Sequence, residues 1–208
     1  MDERRPLVVK VVNPVLDQTP LLDAWETHLG RFDTFKTVTP LTEGADRTLL
    51  QAWTQTGLSI QHDLDDEPSA INPVLDFLQA HADLEQSRLW ARVERMLEAR
   101  GPIERRPAFI NGPHAAITQT HQDGFDSIAF VLAGQKTFYV APPNRVHPTR
   151  REHESSASPF TPGCPATQAA PQPFVRVIVG AGSLLYLPRN WWHFVESESQ
   201  TIMLCAWQ

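Results

Sequence analysis

Apolar positions recur in two rhythms along this chain, and the change falls near residue 107. Before it, helical spacing dominates. After a strand-like run at Val8–Val12, Thr19-Pro20 reads as an N-cap followed by proline at the first helical position, with Leu21, Leu22, Trp25 and Leu29 on one face and Gly30 at the end. A short helix is expected to hold Leu49, Leu50 and Trp53 and to stop at Gly57, and Asn72-Pro73 repeats the cap signature. Asp83 with Gln86 three positions on resembles a capping box. It opens a further helix whose Leu89, Val93, Met96 and Leu97 form an apolar stripe, closed by Gly101-Pro102.

From Ala108 the rhythm becomes that of short strands: 108–111, 115–120, 127–132, 137–141, 174–179, 183–187, 193–196 and 201–207. Turn signals at Gly124, Ala133-Gly134 and Gly180-Ala-Gly182 separate them. Eight short strands in a row predict a mostly β sandwich or jelly roll, with the helices of residues 1–107 packed on one side. The stretch Pro142–Pro173 holds eight prolines and no hydrophobic period. Such a long loop is either a functional lid or a disordered insertion. At 208 residues the chain is expected to form one domain.

Composition narrows the partners. Apolar residues make up 41% and charged residues 20%, ordinary for a globular protein. The net charge of −6 comes entirely from the first 107 residues, because the remainder carries six basic and six acidic side chains. An acidic chain without a basic stripe argues against a broad nucleic-acid surface. No segment is apolar enough for a signal-peptide core or a membrane span, so a soluble, cytoplasmic protein is expected. Cys164 and Cys205 are the only cysteines and form no disulfide framework, which favours reduced thiols.

Candidate chemistry concentrates at Ile117-Thr-Gln-Thr-His121-Gln-Asp123-Gly124. On an extended strand, His121 and Asp123 share a face and can reach one metal ion. His193, in Leu187-Pro-Arg-Asn-Trp-Trp-His193, follows a later strand and is placed to supply a third ligand. Two histidines and one carboxylate leave positions open for a chelating co-substrate and O2, the arrangement of non-haem Fe(II) oxygenases. The plainer reading of His121 and Asp123 is a turn-stabilising pair at a strand end. His81-Ala-Asp83 has the same spacing but lies at a junction of predicted helices, where the two side chains diverge by roughly 200°. His28, His62, His114, His147 and His153 have no partner pattern.

Lys136 changes the balance. The chain has three lysines against fifteen arginines, so lysine is not its routine surface cation. Lys136 follows the turn Leu132-Ala-Gly-Gln, and a hairpin there is expected to bring it beside the strand leaving His121 and Asp123. An ammonium at that pocket suits the far carboxylate of 2-oxoglutarate. The alternative is an exposed lysine at a hairpin.

Three stretches together resemble the JmjC (cupin-like) hydroxylases: Thr118-Gln-Thr-His121-Gln-Asp123, then Leu132-Ala-Gly-Gln-Lys136-Thr-Phe-Tyr-Val-Ala-Pro-Pro143, then Gly182-Ser-Leu-Leu-Tyr186-Leu-Pro188-Arg-Asn-Trp191-Trp192-His193-Phe-Val-Glu-Ser197. They are most similar to the small branch typified by the asparaginyl hydroxylase of hypoxia-inducible factor. The resemblance implies a double-stranded β-helix of about eight strands with Fe(II) at one mouth, held by His121, Asp123 and His193. It also implies that Thr118 and Lys136 hold the distal carboxylate of 2-oxoglutarate. Ser127 stands where the family often has asparagine, Gly180-Ala-Gly182-Ser183 replaces a common Pro-Gly-Asp turn, and the helical dimerisation segment that some members carry after the last strand is not expected here.

The function expected on these grounds is a 2-oxoglutarate-dependent hydroxylase that releases succinate and CO2. Its substrate would be a peptide or protein side chain, or an amino-acid-like small molecule. Two rivals stand beside it: a metal-dependent cupin enzyme that does not use 2-oxoglutarate, and a non-catalytic binding module. Trp191 and Trp192 flank His193, and packing at the barrel end is their simpler role.

Overall fold

The period-two texture after Pro107 folds as one long antiparallel pairing that has been rolled up. The computed structural model describes residues 5–10, 59–63, 80, 85–111, 116–118, 120–144, 173–197 and 200–208. Its strands are β1 (Leu7–Lys10), β2 (Ser59–Asp63), β3 (Pro107–Asn111), β4 (Ala116–Ile117), β5 (His121–Gln122), β6 (Ser127–Ala133), β7 (Gln135–Ala141), β8 (Val175–Gly180), β9 (Ser183–Leu187), β10 (Trp192–Ser197) and β11 (Thr201–Trp207). Helix α1 spans Glu85–Glu98. β3 pairs with β11, β4 and β5 with β10, β6 with β9, and β7 with β8. The result is two facing sheets, one ordered β1-β9-β6-β11-β3-β2 and the other β4-β10-β7-β8 with β5 also on β10. This is the expected mostly β jelly-roll core. The N-terminal part adds strands as well as helix to it, with β1 and β2 at the two edges of the larger sheet.

Alternation decides what lies between the sheets. Ala129, Val131 and Leu185 of the larger sheet meet Phe138, Val140 and Val195 of the smaller, and all are buried. The opposite face of β6 presents Phe130, which is fully buried and stacks on Trp90 of α1 with ring centroids 6.3 Å apart. Burying a side chain of that size contributes roughly 1.5–3 kcal/mol.

The α1 stripe is rotated from the expected one. Trp90 and Leu97, two turns apart, are buried, whereas Met96 is 61% exposed. Leu89, Trp90, Val93, Met96 and Leu97 cover two adjacent helix faces, and the contact with Phe130 selects between them. The Gln208 amide donates to the Leu97 and Gly101 carbonyls and satisfies the helix end.

The turn at Gly134 also corrects an expectation. β6 and β7 do not form a hairpin: β6 pairs with β9 and β11, and β7 with β8 and β10. The single residue Gly134 turns the chain from one sheet into the other. Its φ is +74°, and a Cβ there would collide with the Gln200 carbonyl, so only glycine fits. Lys136 reaches the site through β10 instead.

The helices expected at 19–30 and 49–57, the Asn72-Pro73 cap, His81-Ala-Asp83 and residues 145–172 with Cys164 lie outside the described residues. Among the described residues, no helix is long and apolar enough to cross a membrane.

Candidate metal centre

His121 and His193 face each other directly across β5 and β10. Asp123 lies just past β5, where the ladder has ended. Its Oδ1 is 3.9 Å from His121 Nε2 and its Oδ2 is 3.7 Å from His193 Nε2. One donor atom from each of the three lies within 4.8 Å of the others. Donors bonded to one ion at ~2.1 Å stand at most about 4.2 Å apart. Both His–Asp separations fall inside that span, and a small inward turn of the imidazoles closes the set.

The donor set is chemically compatible with a cation. His193 Nδ1 lies 3.1 Å from the Trp191 carbonyl. That contact requires Nδ1 to carry the ring hydrogen, so the Nε2 lone pair faces Asp123. Burial, reinforced by His121, pushes the His193 pKa down to about 3, so the ring is neutral. Burial raises the Asp123 pKa, opposed by His121. A carboxylate that is costly to leave buried and unpaired is one that a cation stabilises. Side-chain exposure falls from 37% at His121 through 17% at Asp123 to 6% at His193, so solvent meets the group on the His121 side.

Behind this group a cavity of about 510 Å³, counting solvent at its mouth, runs between the sheets. Ser127, Leu187 and Trp207 line it opposite the histidines; Thr118, Lys136 and Cys205 also line it. Lys136 pairs in register with Ser197, four residues beyond His193 on β10. At 3.3 Å per residue that offset is about 13 Å, which a lysine side chain reaching back and a five-carbon dicarboxylate can bridge together. Lys136 is buried, and Nζ donates to Ser197 Oγ at 3.0 Å. Burial lowers its pKa to about 7, and Cys205 opposes the shift. Cys205 is a free, buried thiol whose pKa burial raises.

Thr118 reaches the same cavity by a break in alternation. β10 pairs Glu196 with Ile117 and His193 with His121, so four residue steps on one strand face three on the other. The extra residue is a bulge. It allows Thr118 and His121, three apart, to line one cavity, where strict alternation would separate them. The Thr118 amide donates to the Val195 carbonyl at 2.9 Å, and Thr118 Oγ1 accepts the Val195 amide at 2.8 Å. The Thr118 hydroxyl thus keeps its own hydrogen to donate.

All five residues singled out from the sequence therefore line this one cavity. Two further lining residues, Ser127 and Cys205, and the Lys136 partner Ser197 carry no assigned role in the sequence pattern. Ser197 was legible, since His193, Val195 and Ser197 share a face at period two. Cys205 reads in the sequence only as a thiol of a given redox state, and Ser127 only as a departure from the family pattern. Trp191 packs against the interior cluster and Trp192 against Tyr139, Phe174 and Phe194 on the other face, so the adjacent indoles serve opposite sides of the sheet.

Comparison with known proteins adds to this geometry. The profile of a family described as a cupin-like domain matches residues 1–207. HSPB1-associated protein 1 of Mus musculus is 31% identical over 108 residues, covering 46% of this chain and 22% of that protein. The human bifunctional peptidase and (3S)-lysyl hydroxylase JMJD7 is 25% identical over 177 residues, covering 72% of this chain and 52% of that protein. Jumonji C domain-containing protein 5 of Drosophila melanogaster is 25% identical over 107 residues, 46% of this chain and 26% of that protein. The chain thus spans between about a fifth and a half of the length of these relatives.

Proposed function

Because this chain belongs to the cupin-like domain family and has JmjC proteins among its relatives, we propose that it is an Fe(II)- and 2-oxoglutarate-dependent oxygenase that hydroxylates a C–H bond. The observation that carries the reading is a single cavity with His121, Asp123 and His193 at its mouth and a buried cation, Lys136, lining it.

In this reading His121, Asp123 and His193 hold Fe(II). Bound there, the iron supplies activation of O2 coupled to oxidative loss of CO2 from 2-oxoglutarate. The chain's own residues do the rest. Lys136, carrying a proton, pairs with the distal carboxylate, and the Thr118 hydroxyl donates to it. Ser197 fixes the ammonium. The Trp191 carbonyl holds His193 in its ligand tautomer. Leu185, Leu187, Val195 and Met203 exclude water from the cavity.

The substrate class in this reading is a peptide or protein side chain, or an amino-acid-like small molecule. The lysyl hydroxylase named among the relatives supports it. The test is a screen of candidate peptides and amino acids with Fe(II), 2-oxoglutarate and O2, reading succinate and hydroxylated product together. Succinate formed in step with a product supports the oxygenase. Product formed without consumption of 2-oxoglutarate would instead identify a cupin enzyme that uses the triad alone.

A further inference from the structure

The placement of Asp123 raises a question of support. β5 is two residues long and pairs with β10 through Gln122 and His121 only. Asp123 follows it in irregular backbone, so the sheet ladder does not fix its carboxylate. The turn leading into β10 is equally irregular, with Asn190 at φ +65°, a left-handed conformation that asparagine accommodates better than most L residues.

These two segments are fastened to each other. The Asn190 amide donates to the Asp123 carbonyl at 2.8 Å. Gln122 Nε2 donates to the Asn190 carbonyl at 2.7 Å. Asp126 Oδ1 accepts both the Arg189 amide, at 2.9 Å, and Arg189 Nε, at 3.2 Å. Its Oδ2 accepts the Tyr186 hydroxyl at 3.1 Å. One carboxylate three residues past Asp123 therefore grips the turn that leads into His193. An exposed Arg–carboxylate pair alone contributes little. Here the same oxygen also takes a backbone amide, which fixes main chain rather than a flexible side chain.

We propose that Asp126, acting through the backbone of Arg189 and aided by the Gln122–Asn190 tie, is a positioning residue that sets Asp123 against His193 for metal binding. The inference rests on the metal-site reading above. Partners of metal ligands characteristically affect affinity without touching the ion, typically about 10–100-fold.

The test is titration of the purified full chain with Co(II) as a spectroscopic probe, and with Fe(II) under anaerobic conditions, alongside thermal melting. Asp126→Ala is expected to weaken metal binding roughly tenfold or more and to alter the Co(II) absorption envelope. Asp126→Asn keeps an Oδ1 acceptor for both Arg189 donors and should remain within about threefold of wild type. Gln122→Ala, at an exposed position, should weaken binding by roughly fivefold, and it decides the matter if Asp126→Ala does not fold. Leu97→Ala, which removes buried packing beneath α1, should lower the melting temperature yet leave metal affinity within about threefold. Wild-type binding with Asp126→Ala or Gln122→Ala unaffected overturns the inference alone. So does an equal loss of affinity in Leu97→Ala. Failure of the wild type itself to bind one ion overturns the metal reading, and this inference with it.

Discussion

Lys136 and Ser197 are directly paired across β7 and β10, and the lysine ammonium donates to the serine hydroxyl at 3.0 Å inside the sandwich. Burial holds the Lys136 pKa near 7, well below the ordinary lysine value of 10.5. In the proposed function the distal carboxylate of 2-oxoglutarate would pair with this ammonium. Lys136→Met is accordingly expected to weaken 2-oxoglutarate binding by at least about thirtyfold, the low end of the 2–5 kcal/mol that losing one partner of a buried charge pair costs. Iron affinity should not change, and calorimetric titration of each ligand separates the two.

The same substitution should raise stability. Between pH 7 and 10.5 the unfolded chain holds a proton on Lys136 that the folded chain lacks, so this residue's penalty is full below pH 7 and is lost by pH 10.5. Lys136→Met removes the penalty, and melting at pH 7 should rise by roughly 2–4 °C, corresponding to about 1 kcal/mol. An unchanged or lower melting temperature would show that the charge is better accommodated than its burial implies.

Co-substrate affinity should depend on pH through the same group. Below about pH 7 the free protein already carries the Lys136 proton. Above it, binding a carboxylate must take up that proton, and apparent affinity falls by up to about tenfold per pH unit. Titrations from pH 6 to 9 should show a plateau and then this decline. In Lys136→Met the profile should be flat and weak throughout.

Substitution within the proposed metal triad should cost function rather than fold. Asp123→Ala or His193→Ala is expected to abolish iron retention and turnover while strand content by circular dichroism persists, because three ligands leave no redundancy. Asp123→Ala also removes a carboxylate whose charge burial disfavours. His81→Ala should leave activity intact. Near-normal turnover in both ligand variants would refute the assignment.

Gly134→Ala should do the reverse. The left-handed φ and the collision with the Gln200 carbonyl both oppose a side chain at this corner. The strained backbone alone costs on the order of 1–3 kcal/mol. Denaturant unfolding should show that loss, and the protein that remains folded should still bind metal.

Sequence pattern carried the local strands well: β9 and β11 occupy the expected residues. Period two was enough to unite His121 with Asp123, the later strand end offered His193, the scarcity of lysine pointed to Lys136, and motif resemblance added Thr118. Strand partnership was not legible. A glycine turn between apolar runs looks the same whether it closes a hairpin or turns a corner between sheets, and Gly134 turns a corner because β7 finds β10. The break at Thr118 was foreseeable, since two residues three apart can share a cavity only across a bulge. The exposure of Met96 is not legible because five apolar positions cover two faces of α1, and the choice belongs to Phe130 on a distant strand. The Asp126 latch left no signal, since an aspartate in a turn reads as turn chemistry until Arg189 is brought beside it.

The most direct test of the whole account is an anaerobic titration of 2-oxoglutarate into the purified protein with and without Fe(II). Binding is expected to be saturable and one-to-one, to need Fe(II), to be lost in His193→Ala, and to weaken at least about thirtyfold in Lys136→Met. Absence of binding by the iron-loaded wild type, or binding indifferent to both substitutions, would contradict it.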